Sequence, residues 1–425
     1  MALSSLAGGP YRSPIFRIFL LSILLVASAN ANHISNWNHN EVCVIHATNN
    51  GSDDTPAILS AFQRCGQGGN IIFQNTTYTI HQVMNTTGLS DCQIDIHGTL
   101  LWSTDTTYWL NHSMDVGYQN QSSAWFLGGN RITVNGFGYG TLDGNGQVWY
   151  DLVKGQSNYP HRPMGLTIWN AKDSTFQGLR FVQSQMWTMA ILKSQNVLLE
   201  DIYVNSTTHN GNPARNTDGA DTIFSDRITF RKWVVDNGDD CISLKANSTN
   251  IIVEDSIFHR GLGLALGSIG QYLNQFETIE NVYAQNITCF STRYAAYIKT
   301  WTGQQVGYPP NGGGGGLGYI KNITWKDFGV VEINSYPFYI TQCTTFSGVA
   351  GDCNSSLFEI LDVSLENFHG TGASSYAAYM GCSAASGGCK RISIKDMNVT
   401  GSATNVTAVG YRCDHVYNTT GFQCN

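Results

Sequence analysis

Short runs of alternating apolar and polar residues recur along most of this chain, separated by glycines and by pairs of polar residues. Alternation with period two marks a half-buried strand. Early strands are predicted at Asn70–Phe73, Gln93–Ile96, Thr99–Trp102 and residues 131–134. From about Phe176 a unit repeats. Asn196-Val197-Leu198-Leu199-Glu200-Asp201-Ile202 resembles Asn250-Ile251-Ile252-Val253-Glu254-Asp255-Ser256-Ile257, and Arg227-Ile228-Thr229-Phe230-Arg231-Lys232-Trp233 has the same shape. Weaker copies follow at residues 278–282, 322–328, 363–368 and 391–399. Each is an alternating run, a polar pair, then a second run. Ile228 and Ile251 stand 23 residues apart, the length of one solenoid coil, and the larger steps require loops between coils. No amphipathic helices separate the runs, which argues against a βαβ sheet, and the repeat is shorter than a propeller blade. The predicted fold is all-β, a right-handed parallel β-helix. One helix is expected near its start, at residues 53–62, where Pro56 sits in the first turn and Ala57, Ile58, Ala61 and Phe62 share a face. It would cap the open end of the stack.

The first residues follow a different pattern. Arg12 and Arg17 precede an apolar run at 18–29, and Ala29-Asn30-Ala31 offers a small-x-small cleavage site. This predicts a secretory signal peptide over residues 1–31, its apolar run short for a membrane span. Residues 32–425 are then read as a single β-helix domain. Thirteen N-x-S/T sequons, from Asn50 to Asn418, agree with a secreted, extracellular protein. So do the 11 cysteines, of which Cys43–Cys65, Cys343–Cys353, Cys382–Cys389 and Cys413–Cys424 are the natural local pairs. Cys92, Cys241 and Cys289 remain, read as small buried apolar residues.

Only 12% of residues are charged, the formal net charge is −7, and no basic run stands out, so a nucleic-acid partner is not expected. An anionic polymer as substrate would require cations gathered at the cleft. No Cys/His cluster has ligand spacing, and no metal or other cofactor is expected. The Gly312–Gly318 run matches a dinucleotide fingerprint only trivially; with no βαβ context it is read as a flexible loop. A monomer without a membrane partner is expected.

The chemistry concentrates between Asn216 and Lys245. Asp218 and Asp239 lie 21 residues apart, close to one coil, so they stack on neighbouring strands about 4.8 Å apart. Adjacent strand residues point to opposite faces, so Asp239 and Asp240 share a site only if the backbone bends at Asn237–Gly238. Three carboxylates forced together should raise at least one pKa, which is how a general acid arises beside a general base. Turn residues or a calcium site are the structural alternatives.

These motifs identify the chain as similar to the polygalacturonase family, glycoside hydrolase family 28. Residues 140–149, GTLDGNGQVW, resemble the family's early GxLDGxGxxW segment, and Arg162-Pro163 its short RP. Asn216-Thr217-Asp218-Gly219 and Gly238-Asp239-Asp240-Cys241 match its two aspartate motifs in order and separation, and Tyr297-Ile298-Lys299 sits where Arg-Ile-Lys is usual. The resemblance implies inverting hydrolysis of α-glycosidic bonds in pectin, with Asp239 as general acid and Asp218 with Asp240 activating water. It places Asn216, Leu262, Tyr297 and Lys299 at the substrate, Lys299 as its cation.

Two departures bear on specificity. Leu262 occupies the position of a usual histidine, and Tyr297 that of an arginine which meets a galacturonate carboxylate. Phe258 stands where a cysteine would pair with Cys241. Loss of both the histidine and the arginine resembles rhamnogalacturonan-acting members, and residues 267–272, GSIGQY, resemble exo-acting ones. The expected substrate is therefore a pectic polysaccharide or oligosaccharide, attacked from its end, with rhamnose-containing linkages favoured. The alternative is an exo-polygalacturonase in which Arg293 or Arg260 compensates. His209 and His259 are candidates to replace the histidine, and Trp301 to stack on a sugar. A noncatalytic carbohydrate-binding β-helix and a calcium-dependent lyase are the rival classes.

Overall fold

The computed structural model describes residues 41–307, 313–401, 407–408 and 410–425. The predicted signal peptide and the Asn405 sequon lie outside them. The described residues fall in one compact unit, and 26 strands form a single sheet wound on itself, the parallel β-helix expected from the repeats.

Each central coil contributes one long bent strand and one short strand. The long strands Gln195–Asn205, Asp226–Asn237, Ser248–Arg260 and Phe276–Phe290 pair in parallel with their neighbours. Val197 pairs with Ile228, and Ile251 with Val282, which pairs with Ile323 and through it with Val363. All six are at most 2% exposed and form one core column. The repeated polar pairs mark the bends. Asp201, Lys232 and Asp255, the second member of each pair, have φ of 55°, 57° and 54°. A single left-handed residue turns the strand while both flanking runs keep their alternation. Asn250, Asn281 and Asn322 make a second corner, their amides hydrogen-bonded coil to coil at 3.0 and 2.7 Å.

The expected capping helix spans Thr55–Cys65. It buries Ile58, Ala61 and Phe62 over the first coils, with Phe62 edge-on to Trp125, and Cys65 is bonded to Cys43. The other three local cysteine pairs also form. Cys92, Cys241 and Cys289 are free and buried, and burial pushes the Cys92 and Cys289 thiols up to about 12. Two further helices, Thr106–His112 and Gly146–Val153, were not legible as periodic patterns. No helix among the described residues is long and apolar enough to cross a membrane.

The glycine run departs from the expected free loop. Gly314, Gly315 and Gly316 donate to the carbonyls of Gln271, Thr302 and Gly270 at 2.6, 2.8 and 3.1 Å. A Cβ on Gly313 would lie 2.2 Å from the Trp301 ring. The run is glycine because it is pressed against one wall of the cavity described below.

The core column carries a stability prediction. Ile228→Ala removes a fully buried side chain between Val197 and Ile251, and should lower stability by about 2–5 kcal/mol, read as a fall in the denaturant midpoint. An unchanged midpoint would show that neighbouring coils do not depend on this column.

Candidate active site

Three successive corners of the β-helix meet at one cavity of about 630 Å³. Asp218 comes from the turn before the strand Asp221–Ile223, and Asp239 and Asp240 from the turn before Ile242–Leu244. The expected bend is present: the long strand ends at Asn237, and Gly238 turns the chain. A Cβ on Gly238 would lie 2.2 Å from the Ala214 carbonyl, so only glycine allows the turn to close. The Asn237 side chain holds it, donating to the Thr217 and Asp240 carbonyls, both at 2.8 Å. All three carboxylates reach the cavity, with oxygens within 4.8 Å of one another.

Burial, then repulsion from Asp239, holds the Asp218 carboxyl well above the usual range. Burial and the adjacent Asp240 also raise Asp239, against the pull of Lys299 and Arg215. Lys299 Nζ lies 2.6 Å from Asp240 Oδ2 and 5.1 Å from the Tyr297 ring centre. Burial works against the Lys299 charge, yet Asp240 and its neighbours hold its pKa above the ordinary value. Burial and mutual repulsion thus favour the protonated forms of Asp218 and Asp239, beside an Asp240 that is paired with the Lys299 ammonium.

The other expected residues reach the cavity with altered emphasis. Lys299, expected as a substrate cation, has Asp240 as its partner. Asn216, expected at the substrate, spends its amide oxygen on Asn158 N at 2.8 Å and on Ser157 Oγ at 3.3 Å. Its backbone N–H donates to Asp239 Oδ2 at 3.2 Å, so it helps position that carboxyl. Leu262 and Tyr297 both line the wall, and burial pushes the Tyr297 phenol up. Trp301 lines it too. His209 and His259 do not: His209 lies on an exposed loop and His259 stacks on Phe290.

Comparison with known proteins agrees with this geometry. The model of glycosyl hydrolases family 28 matches residues 68–419. The chain belongs to glycosyl hydrolases family 28. It is similar to α-L-rhamnosidase rgxB of Aspergillus niger, 49% identical over 410 residues, covering 96% of this chain and 95% of the relative. An exopolygalacturonase of Cochliobolus carbonum is 36% identical over 375 residues, 86% of this chain and 83% of that one. Among solved structures, an endo-xylogalacturonan hydrolase from Aspergillus tubingensis superimposes with a TM-score of 0.76 at 26% identity, over 91% of this chain and 100% of that chain.

Several residues of this family 28 hydrolase's cavity escaped sequence reasoning. Lys245 Nζ pairs with Asp221 Oδ1 at 3.1 Å and lies 4.8 Å from the Trp187 ring centre. Burial raises Asp221 to about 7. A single charge in each of two otherwise apolar strand segments, GADTIF and CISLKA, was the available signal, because such charges must pair. Arg215 lines the cavity, its carbonyl fixed at 2.8 Å by the wholly buried Arg162. Arg293 lines the cavity as well, whereas Arg260 pairs with Asp236 outside it. Finally, a strap crosses from the early coils. Met114–Asp115 and Ser122–Ser123 form its stem; at its tip Gln119 N donates to the Tyr272 phenol at 2.7 Å, and Gln121 Nε2 reaches Asn158 Oδ1 at 3.5 Å. These bonds join the two walls.

The carboxylate cluster makes the site unfavourable for stability. A carboxyl with raised folded-state pKa binds more protons folded than unfolded, so stability is lost as pH rises through that window. Asp218→Asn should therefore raise stability at pH 7 by about 0.5–2 kcal/mol. The gain should vanish below about pH 4, where the unfolded carboxyl is protonated too. Thermal unfolding of both proteins across pH measures this; a pH-independent difference would refute the electrostatic account.

Proposed function

We propose that this glycoside hydrolase releases terminal sugars from pectin by single displacement at α-glycosidic bonds, with a rhamnose-containing linkage preferred. The observation that carries the reading is the trio of buried Asp218 and Asp240 with half-buried Asp239, Lys299 paired to Asp240, in a cavity also lined by Gln119 and Gln121 of the strap. Asp239, whose carboxyl is raised by burial and the adjacent Asp240, donates to the departing oxygen. Asp218 and Asp240 hold the attacking water: a water accepting neither charge but donating to both, at about 2.8 Å each, fits oxygens within 4.8 Å. That spacing is tighter than the roughly 6.5–9.5 Å common between the two carboxyls of inverting glycosidases, so the anomer formed is the informative readout. Removing the positive charge of Lys299 would return Asp240 to repulsion by its neighbours.

Substrate preference rests on what meets the sugar. A guanidinium at position 297 would bind a carboxylate in two-pronged fashion, and a phenol does not. Tyr297 and Leu262 suit a sugar without a carboxylate, and the 49% identity to an α-L-rhamnosidase supports the same choice. Exo action is supported by the strap, whose Gln119 and Gln121 line the cavity and bond to Tyr272 and Asn158. A second reading, exo-polygalacturonase, has one observation in its favour: Arg293 lines the cavity and offers a replacement cation. Residues 1–31 as a cleaved secretory signal, extracellular action and a monomeric state belong to the same proposal.

Two experiments test it. Asp239→Asn should keep the fold and lose a factor of about 10² to 10⁴ in turnover; activity within threefold of the parent, as an order-of-magnitude bound, removes Asp239 as the acid.

The second compares homogalacturonan and rhamnogalacturonan oligosaccharides, with products followed by proton NMR. The expected result is rhamnose released with inverted configuration, unaffected by chelator, and a Tyr297→Arg variant shifted toward galacturonate oligomers by up to about 1.5–3 kcal/mol. A retained anomer defeats single displacement, and an unsaturated, chelator-sensitive product makes the protein a lyase. If the native enzyme favours homogalacturonan about tenfold or more, a difference of about 1.4 kcal/mol, Arg293 compensation is the better account.

A further inference from the structure

We propose that a row of tyrosines leading from the cavity toward the last coils is a binding rail for the leaving-group side of an acidic polysaccharide chain. This rests on the exo-acting reading above and gives the substrate a direction. Tyr297, Tyr339 and Tyr379 hold the same register on three successive strands, about 4.8 Å apart along the ladder. Their neighbours Ile298, Ile340, Ala378 and Met380 are wholly buried, so by alternation the three tyrosines face outward. Tyr294 and Tyr336 fill in beside them. Ring centres are 4.6 Å apart for Tyr294 and Tyr339, and 5.2 Å for Tyr339 and Tyr379, with planes 19° apart in both pairs.

A guanidinium stands at each end. Arg293, on the cavity wall, lies 5.4 Å from the Tyr294 ring centre. Arg412, the register partner of Tyr379, lies 5.7 Å from its ring. No ion pair joins either arginine to a carboxylate among the described residues.

Chemistry and continuity select the occupant. Tyr297 is edge-on to Tyr339, 5.5 Å between ring centres, but beyond it Tyr339 and Tyr379 stack, so a ligand lying along that part of the row meets edges and hydroxyls rather than faces. Phenol hydroxyls donate to and accept from sugar hydroxyls, and guanidiniums bind carboxylates in two-pronged fashion. A chain with net charge −7 otherwise repels a polyanion, so cations framing an outward polar row fit a galacturonate-bearing polymer. The row begins inside the cavity, at Tyr297. With the strap across the early-coil side, sugars beyond the cleaved bond are led along it.

The test is binding, so it does not depend on which bond is cut. The Asp239→Asn protein is titrated calorimetrically with galacturonate-containing oligosaccharides of increasing length, alone and combined with Arg412→Ala or Tyr379→Ala. Affinity should rise with length in the parent. Each added substitution should weaken the longest ligands by about fivefold, through loss of a charge-assisted or hydroxyl hydrogen bond, and leave the shortest unchanged. Arg412 is exposed, so its removal should not unfold the protein. Equal weakening at every length, or none at any length, overturns the rail, as would a row occupied by a second copy of this chain, seen as a dimer. Rhamnose-independent turnover with an intact length effect would instead overturn the substrate preference and leave the rail standing.

Discussion

Parallel main-chain hydrogen bonding between successive coils is the constraint from which the rest of this molecule follows. It sets each coil about 4.8 Å from the next, so residues sharing a register become columns whether or not their side chains attract. Where the column is Val197, Ile228, Ile251 and Val282, the result is core. The turns beside one short-strand ladder bring carboxylates together by the same spacing. Bends are confined to left-handed corners such as Asp201 and Asp255, which let a strand change direction without disturbing the ladder.

The site is where this constraint works against stability. Asp218, Asp239 and Asp240 repel one another in a buried place, and Asp221 lies beneath them at the strand start. Paired cations stand among these acids: Lys299 on Asp240 and Lys245 on Asp221, with Arg162 supporting the backbone of Arg215. Buried ion pairs of this kind contribute little net stability, but breaking one leaves an uncompensated charge. Their consequence here is chemical. Lys299 offsets the charge of Asp240, while burial and neighbouring carboxylates keep Asp218 and Asp239 raised.

Irregular segments, by contrast, border the cavity. Gln119 and Gln121 of the strap tip and Asn158 line it, and the glycine run packs behind Gln271 and Trp301; the ladder neither requires nor forbids such segments. Tyr297 lines the same cavity from the strand Ala296–Trp301, where a different side chain could stand without moving the ladder. The same scaffold thus carries different sugar preferences in similar proteins, such as the α-L-rhamnosidase and the exopolygalacturonase to which this chain is similar.

The sequence by itself determined the coil architecture and the capping helix, and it offered the four local cysteine pairs and, given a bend at Asn237–Gly238, the meeting of Asp218, Asp239 and Asp240. Each depends on short-range information: period-two alternation, cysteines close along the chain, and a spacing near one coil. Only the tertiary structure decided the partners around them. Ser157 and Asn158 reach Asn216 from a distant loop, and Lys299 pairs with Asp240 from 59 residues away. The strap is held at the cavity through Tyr272, 153 residues from Gln119. Periodicity reports which face of a strand is buried, but loops carry no period. Where an irregular segment comes to rest is set by the packed coils beneath it, and that is information no local pattern contains.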